Sequence, residues 1–406
     1  MKIAMMTNNY KPFTGGVPIS IERLKKGLEQ LGHQVTVFAP TYKHQIDEQG
    51  VVRYGNLSNH FVGGIVLPNP FDPVIEETFQ KGEFDIIHVH HPFLIGNMAM
   101  HLSRKYGVPI AFTYHTQYEQ YLSAYAGWAK PLTGLMSRYL CYFLNCCDYV
   151  LAPTKGMQEY LHSICDVPYD KMEILPTGLT TELFNVEKAQ GNAIRKQYQA
   201  EHCPLFISVS RMAQEKNIPF LINCIAGVKA LYPYPFKVLM IGDGPDKNTY
   251  ECLCKEKNLE DIVFFTGKIP NEEIAPYFSA ADAFLFASKT ETQGIVLLEA
   301  FAGKTPVYAV DADGVRDLVQ NGVNGRLCPD KEADFVMNLL DFLLGKDDIA
   351  EMSRHAYETA LQFREEAVAD KAAHIYNEII VKSKRTCANG EHALKSVSKR
   401  KHSIFT

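Results

Sequence analysis

Four charged residues in the second half of the chain have the types and spacing to handle a diphosphate joined to sugars. Arg211 and Lys216 stand five apart in SRMAQEKN, directly after the apolar run Leu205 to Ser210. A strand there would deliver both cations to the carboxyl edge of a sheet, where doubly wound folds bind ligands. Arg offers a bidentate fork and Lys a point charge, which together suit a leaving diphosphate; the same two residues would also serve as ordinary surface charges. Glu291 and Glu299 stand eight apart in KTETQGIVLLEA. Glu291 falls in the loop after a strand, Thr292 to Ile295 fall at a helix N-terminus, and Glu299 lies about two turns along that helix. Carboxylates accept hydrogen bonds from vicinal hydroxyls, so this pair could hold two sugars of one ligand. A solvated helix face is the ordinary alternative. Here, however, the neighbours are Ile295, Val296, Leu297, Leu298, Ala300 and Phe301, among which a carboxylate is costly without a ligand or a partner. Near the N-terminus, Gly15 and Gly16 form either a tight strand-to-helix turn or a place where backbone N–H groups approach a phosphate. They do not complete GxGxxG, which argues against a dinucleotide site.

The elements that position these residues follow from hydrophobic periodicity. Lys2 to Thr7 predicts a strand. Val17, Ile21, Leu24, Leu28 and Leu31 recur at helical spacing, and Gly32 ends the helix. Further strands are predicted at 34–39, 85–89, 109–113, 149–152 and 173–176. After the polar stretch 185–202 the rhythm restarts, with strands at 205–210, 236–241, 262–265, 283–286 and 306–310. Alternating strands and helices imply parallel sheets covered on both faces. The expected organisation is a domain over 1–185, a second over 186–363, a helix over 364–382 crossing back onto the first, and a basic tail over 383–406 without regular structure. From Lys382 onward that tail has seven Lys or Arg against the single acid Glu391.

Composition narrows the classes. The 406 residues are 46% hydrophobic and 21% charged with a net charge of −5, which suits globular domains and not a nucleic-acid partner. No signal-like segment and no run of 18 apolar residues occurs, so any membrane contact is expected to be peripheral. The 10 cysteines lack zinc-finger spacing, and reduced, mostly buried thiols in a cytoplasmic protein are the favoured reading over disulfides.

SRMAQEKN, IGDGP (Ile241 to Pro245) and SKTETQGIVLLEA, in that order, resemble the retaining GT-B glycosyltransferases of family 4, and the resemblance covers nearly the whole chain. It implies two Rossmann-like doubly wound domains facing a central cleft. It implies that Arg211 and Lys216 bind the donor diphosphate, Glu291 the transferred hexose near its anomeric centre, and Glu299 the ribose. Thr292, Gln293, Gly294 and Ile295 would line the donor site, Lys268 and Ile269 would read the base through their backbone, and Gly15 and Gly16 would face the diphosphate. His115, in TYHTQYEQY, matches the active-site histidine; outside that context it would be read as a satisfied core or loop histidine. The family often has Asn-Gly-Val-Asp where this chain has Pro176-Thr177-Gly178-Leu179-Thr180, so no acid acts there. Asp311-Ala312-Asp313 is nominally a DxD motif, read as local structure. No metal and no cofactor are expected.

The stretch 113–154 is similar to the bacterial diacylglycerol glucosyltransferases of the family. Tyr118, Tyr121, Tyr125, Trp128, Tyr139, Tyr142 and Phe143, with Lys130 and Arg138, would make an interfacial surface; a buried aromatic helix is the alternative for part of it. The implied activity is transfer of glucose from UDP-glucose to 1,2-diacylglycerol with retention, on an anionic membrane surface at the inner face of the cell membrane. A soluble or polysaccharide acceptor is the nearest alternative, and a non-catalytic nucleotide-sugar-binding module the next.

Overall fold

The computed structural model describes residues 1–13, 15–59, 66–117 and 133–402, with 133 and 385–402 as backbone only. Two parallel sheets dominate. The first has the strands β1 (Lys2–Met6), β2 (Gln34–Pro40), β3 (Val51–Tyr54), β6 (Ile86–Val89), β7 (Ile110–Thr113), β8 (Tyr149–Ala152) and β9 (Met172–Ile174), in the spatial order β3-β2-β1-β6-β7-β8-β9. The second has β10 (Leu205–Val209), β11 (Lys237–Ile241), β12 (Val263–Gly267), β13 (Ala283–Phe286), β14 (Val307–Val310) and β15 (Gly325–Cys328), in the order β12-β11-β10-β13-β14-β15. The central strands IIHV, IAFT, YVLA, AFLF and VYAV are buried at every position, as expected of strands covered on both faces. A short antiparallel pair, β4 (Asn56–Ser58) and β5 (Leu67–Pro68), lies beside the first sheet.

In each sheet the strand order reverses once, between β1 and β6 and between β10 and β13, where Ile3 pairs with Ile86 and Phe206 with Ala283. The crevices outside the carboxyl ends at such reversals are where these folds bind ligands. The loops that open there begin at Thr7 and His90 in one domain and at Ser210 and Ala287 in the other.

Helix α1 (Gly16–Gln30) starts at the glycine loop and ends at Leu31 with Gly32 in the left-handed region, φ +82°. The first domain continues with α2 (Pro73–Gly82), α3 (Ile95–Tyr106), α4 (Thr133–Cys146) and α5 (Lys155–Cys165). The second has α6 (Lys188–Gln197), α7 (Ile218–Leu231), α8 (Lys247–Glu256), α9 (Ala275–Ala280), α10 (Ile295–Ala302), α11 (Glu332–Leu343) and α12 (Ile349–Leu361). The last helix, α13, runs without a break from Glu365 to His402. It packs on α1: Val368, Ala369, Ala372, Ile375, Tyr376 and Ile379 share a core with Ile3, Met5, Ile21, Leu24 and Leu28. A side chain at Gly27 would put its Cβ 2.6 Å from that of Ala369, so the missing side chain sets the approach of the two helices. The chain crosses between the sheets twice, and the crossings lie together: Leu179 N–H donates to Phe363 O at 2.7 Å, and Glu365 N–H to Leu179 O at 2.9 Å.

The structure departs from the sequence reading in three respects. Strands β3, β4, β5 and β15 were not expected; they are short edge segments whose sequences carry no long apolar run. Helix α13 continues past Lys382, through a segment that lacks apolar periodicity but is rich in Lys and Arg, which are good helix formers, and has no proline. Finally, Cys141 and Cys165 are joined by a disulfide, correcting the expectation of reduced thiols throughout. The pairing joins α4 to the end of α5, 24 residues apart, a spacing with no motif to announce it.

Candidate active site

Beta-strand β10 ends in the loop that carries Arg211 and Lys216, and the glycines of IGDGP determine its course. A Cβ at Gly242 (φ +136°) would meet Ser210 O at 1.9 Å, and one at Gly244 would meet Met212 O at 2.3 Å. The two loops therefore lie backbone to backbone, with Met212 N–H donating to Asp243 O. From this support Arg211 Nη2 donates to Glu215 Oε1 at 2.8 Å, and Lys216 Nζ donates to Glu291 Oε1 at 2.6 Å. Burial pushes the Glu291 carboxyl up, but the Lys216 ammonium, with the Ser288 hydroxyl, outweighs it and holds the group below the usual carboxylate range.

Glu291 lies in the loop after β13. Gly294 caps α10 in the left-handed conformation, φ +68°, and Gln293 is buried. The loop is held from two sides. A Cβ at Gly314, in the turn after Asp313, would meet Glu291 O at 2.3 Å. From the first domain, Gln117 Nε2 donates to Glu291 O at 3.1 Å, and Thr292 Oγ1 donates to His115 O at 2.9 Å. Gln293 Oε1 accepts from Thr177 N–H at 2.9 Å. Ile295 lies 3.7 Å from where a Gly16 Cβ would stand, so the glycine loop and the start of α10 face each other. Glu299, one turn further on, accepts from Arg23 Nη2 of α1 at 2.6 Å. Its apolar neighbourhood thus has a protein partner. Lys268 and Ile269 follow β12, the first exposed and the second half-buried.

The facing wall is a histidine cluster. His115 Nε2 and His90 Nδ1 are 2.8 Å apart. The rings of His88 and His90 are tilted by 39° with centroids 4.1 Å apart, and those of His90 and His115 stack. His88 bonds Thr113 Oγ1 through Nε2 at 2.6 Å and the Tyr376 hydroxyl of α13 through Nδ1 at 2.7 Å. His91 Nδ1 accepts from Asn8 N–H at 3.2 Å. Desolvation lowers all four: His88 to about 3, His91 to about 4, and His90 and His115 well below the usual histidine value, the last two also by neighbouring imidazoles. The cluster is neutral at physiological pH.

The sequence-derived residues Gly16, His115, Lys216, Glu291, Thr292, Gln293, Ile295 and Glu299 are thus brought together at the two strand-order reversals. The acids of Asp311-Ala312-Asp313 point elsewhere: Arg316 pairs with both, at 2.8 and 3.2 Å. Four participants escaped the sequence reading: Arg23, His90, Gln117 and Thr154, whose hydroxyl donates to Thr292 O at 3.4 Å. IIHVHHP carried a signal in its three histidines, since a polar residue inside an apolar strand run needs a partner; Arg23 stands on a helix face that periodicity marks as polar.

Two family models match this chain, Glycosyltransferase Family 4 over residues 14–183 and Glycosyl transferases group 1 over residues 191–362. The alpha-monoglucosyldiacylglycerol synthase of Streptococcus pneumoniae is 30% identical over 372 residues, covering 89% of this chain and 83% of that protein. The chain belongs to glycosyltransferase family 4. The protein of the same name from Acholeplasma laidlawii is 26% identical over 95% of this chain and 99% of its own length. A GDP-mannose-dependent alpha-mannosyltransferase of Corynebacterium glutamicum is 25% identical over 95% and 91%. Among solved structures, the Anabaena HepE complex with UDP and glucose superposes with a TM-score of 0.74 at 18% identity, covering 93% of this chain and 100% of that one. The fold of this glycosyltransferase is accordingly GT-B. Among the described residues no helix is long and apolar enough to cross a membrane.

Proposed function

We propose that this glycosyltransferase moves glucose from UDP-glucose to the 3-hydroxyl of 1,2-diacylglycerol with retention at the anomeric carbon. The observation that carries the reading is the meeting of Glu291 and His115 across the cleft, tied by Gln117 and Thr292, with Lys216 on the Glu291 carboxylate. The sugar would lie between them. Lys216 donates to Glu291 and Arg211 to Glu215, and cations held in such pairs can share their charge with oxygens of the departing diphosphate. Charge fixed where charge develops is transition-state stabilisation. The two cations would do the work of a metal, and none is assigned.

The neutral histidine wall suits a hydrogen-bond donor better than a base. Among the described residues His90 Nε2 is buried without a hydrogen-bond partner. If the proton between the two rings sits on His90 Nδ1, only a lone pair is left unmatched there, whereas the other tautomer would orphan an N–H. His115 then accepts at Nε2 and offers Nδ1–H to a hydroxyl of the hexose. With no nucleophile pair in place among the described residues, the acceptor attacks from the face the diphosphate leaves, and the phosphate takes its proton.

The lipid acceptor is supported by the two synthases and by an outward surface. On α4, Leu135 and Tyr142 are 66% and 53% exposed, and Arg138 is exposed beside them. Phe143 and Leu140 instead pack in the core. Tyr118, Tyr121, Tyr125, Trp128 and Lys130 lie outside the described residues. A peripheral enzyme on an anionic bilayer would use such apolar and cationic groups together. The test is incubation with UDP-glucose, UDP-galactose and GDP-mannose against diacylglycerol in anionic vesicles and against soluble sugar phosphates, with products read by mass spectrometry. Glucosyldiacylglycerol is expected; product on soluble acceptors alone would replace the lipid reading.

A further inference from the structure

We propose that Arg23, on the N-terminal domain, is the positioning residue that aims Glu299 at the donor ribose, so that the ribose is fully recognised only when the two domains stand as they do here. The proposal rests on the assignment of Glu299 to the ribose.

Arg23 is 7% exposed and divides its guanidinium between two separate segments. Nη2 donates to Glu299 Oε1 at 2.6 Å, and Nη1 donates to Gly178 O at 3.1 Å in the first crossing between the sheets. The planar fork serves both acceptors at once; a lysine would supply a single point charge. The Glu299 carboxylate accepts no other hydrogen bond among the described residues, so its second oxygen keeps its lone pairs for hydroxyls. The pair also removes rotamer freedom from a side chain that would otherwise be ordered only when the ligand arrives.

Arg23 is the last of three contacts along one face of α1. Gly16 lies against Ile295. Ser20 Oγ accepts from Thr177 Oγ1 at 3.0 Å, and Thr177 N–H in turn donates to Gln293. Positions 16, 20 and 23 share a helix face, and each meets the donor loop, α10 or the crossing beside them. A rotation of one domain against the other would move Arg23 with α1 and Glu299 with α10, so separation of the domains would release the carboxylate.

The test compares binding of UDP, 2′-deoxy-UDP and 3′-deoxy-UDP by calorimetry in the wild type, Arg23→Lys and Arg23→Met, with circular dichroism to establish that each is folded. Loss of the hydroxyl that Glu299 accepts from should weaken wild-type binding roughly tenfold or more, as for a hydrogen bond to a charged group. In Arg23→Met that ratio should fall toward one, with Arg23→Lys between, and the donor KM should rise more than kcat falls. Arg23→Lys retains a cation for the half-buried carboxylate, so it reports even if Arg23→Met does not fold. An unchanged ratio in a folded variant would mean that Arg23 only braces the fold, and tighter UDP binding would mean that it blocks the ribose; either overturns the proposal while leaving Glu299 assigned. A wild type that binds no UDP, or binds all three alike, refutes the ribose assignment and this proposal with it.

Discussion

On the N-terminal wall of the cleft, His88, His90, His91 and His115 are neutral and bond to one another, to hydroxyls or to backbone. On the C-terminal wall, Arg211, Lys216, Glu215 and Glu291 are paired charges. Burial explains the first wall, because desolvation drives off the imidazole protons. Pairing explains the second, because Lys216 keeps a buried carboxylate ionised. The difference divides the labour. Paired charges can be shared with an incoming diphosphate, whereas neutral rings present fixed dipoles that do not change when the charge of the ligand does.

The comparison breaks most severely if the charged wall is neutralised. Lys216→Ala should lower kcat/KM by about 10²–10³-fold, the scale of a lost oxyanion-type contact. Because the same change strands Glu291, Lys216→Ala/Glu291→Gln should recover stability without recovering rate. Steady-state kinetics with denaturant titration separates the two, and near wild-type turnover in Lys216→Ala would remove the diphosphate assignment.

The charged wall was legible in the sequence and the neutral wall largely was not. Charges among apolar residues stand out, and the glycines of IGDGP and the turn before α10 mark where backbone must pass close. Most strands followed from apolar runs for the same reason, while β3 and β15, at the edges, did not. Arg23 and His90 act through residues far away in sequence, 276 positions for the Arg23–Glu299 bond and 25 for His90–His115. Nothing local encodes such a partner, so only the closed sheet order reveals it.

The neutral wall should fail in acid. An unfolded histidine takes up its proton near pH 6.5, whereas the folded His88 does so only near 3. Its contribution to stability is therefore complete above about pH 6.5 and declines as the pH falls toward 3. At pH 5 one such group costs about 2 kcal/mol, and His90, His91 and His115 shift in the same direction. Urea unfolding at pH 7.5 and 5.0 measures the loss, and His88→Gln should reduce it. Equal stability at both pH values would mean that the cluster is not neutral in the folded protein.

A smaller effect tests which atom of His115 acts. If Nδ1–H is the donor, His115→Asn places an amide N–H near the same point, whereas His115→Ala removes it. Asn should therefore retain roughly two- to tenfold more kcat/KM than Ala, the range of one neutral hydrogen bond, and the pH–rate profile should show no titration from this residue. Equal loss in both variants would favour Nε2 or a purely steric role.

The smallest effect is expected outside both walls, at Asp311 and Asp313. Each pairs with Arg316 at the surface, with 42% and 69% of the two carboxylate side chains exposed, and exposed pairs contribute about 0–1 kcal/mol. The adjacent Gly314 matters more than either acid, because its turn is the one packed under Glu291 O. Asp311→Asn and Asp313→Asn should therefore leave turnover within about twofold, since surface substitutions shift stability by about 0.5 kcal/mol or less. Gly314→Ala should damage the site through the Glu291 backbone. On the proposed reading turnover should also survive chelation, because Arg211 and Lys216 would take the role of a divalent cation at the diphosphate. Activity abolished by EDTA, restored by magnesium or manganese and lost again in Asp313→Asn would place a metal where Arg316 now sits, and would make the charged wall an incomplete account of the chemistry.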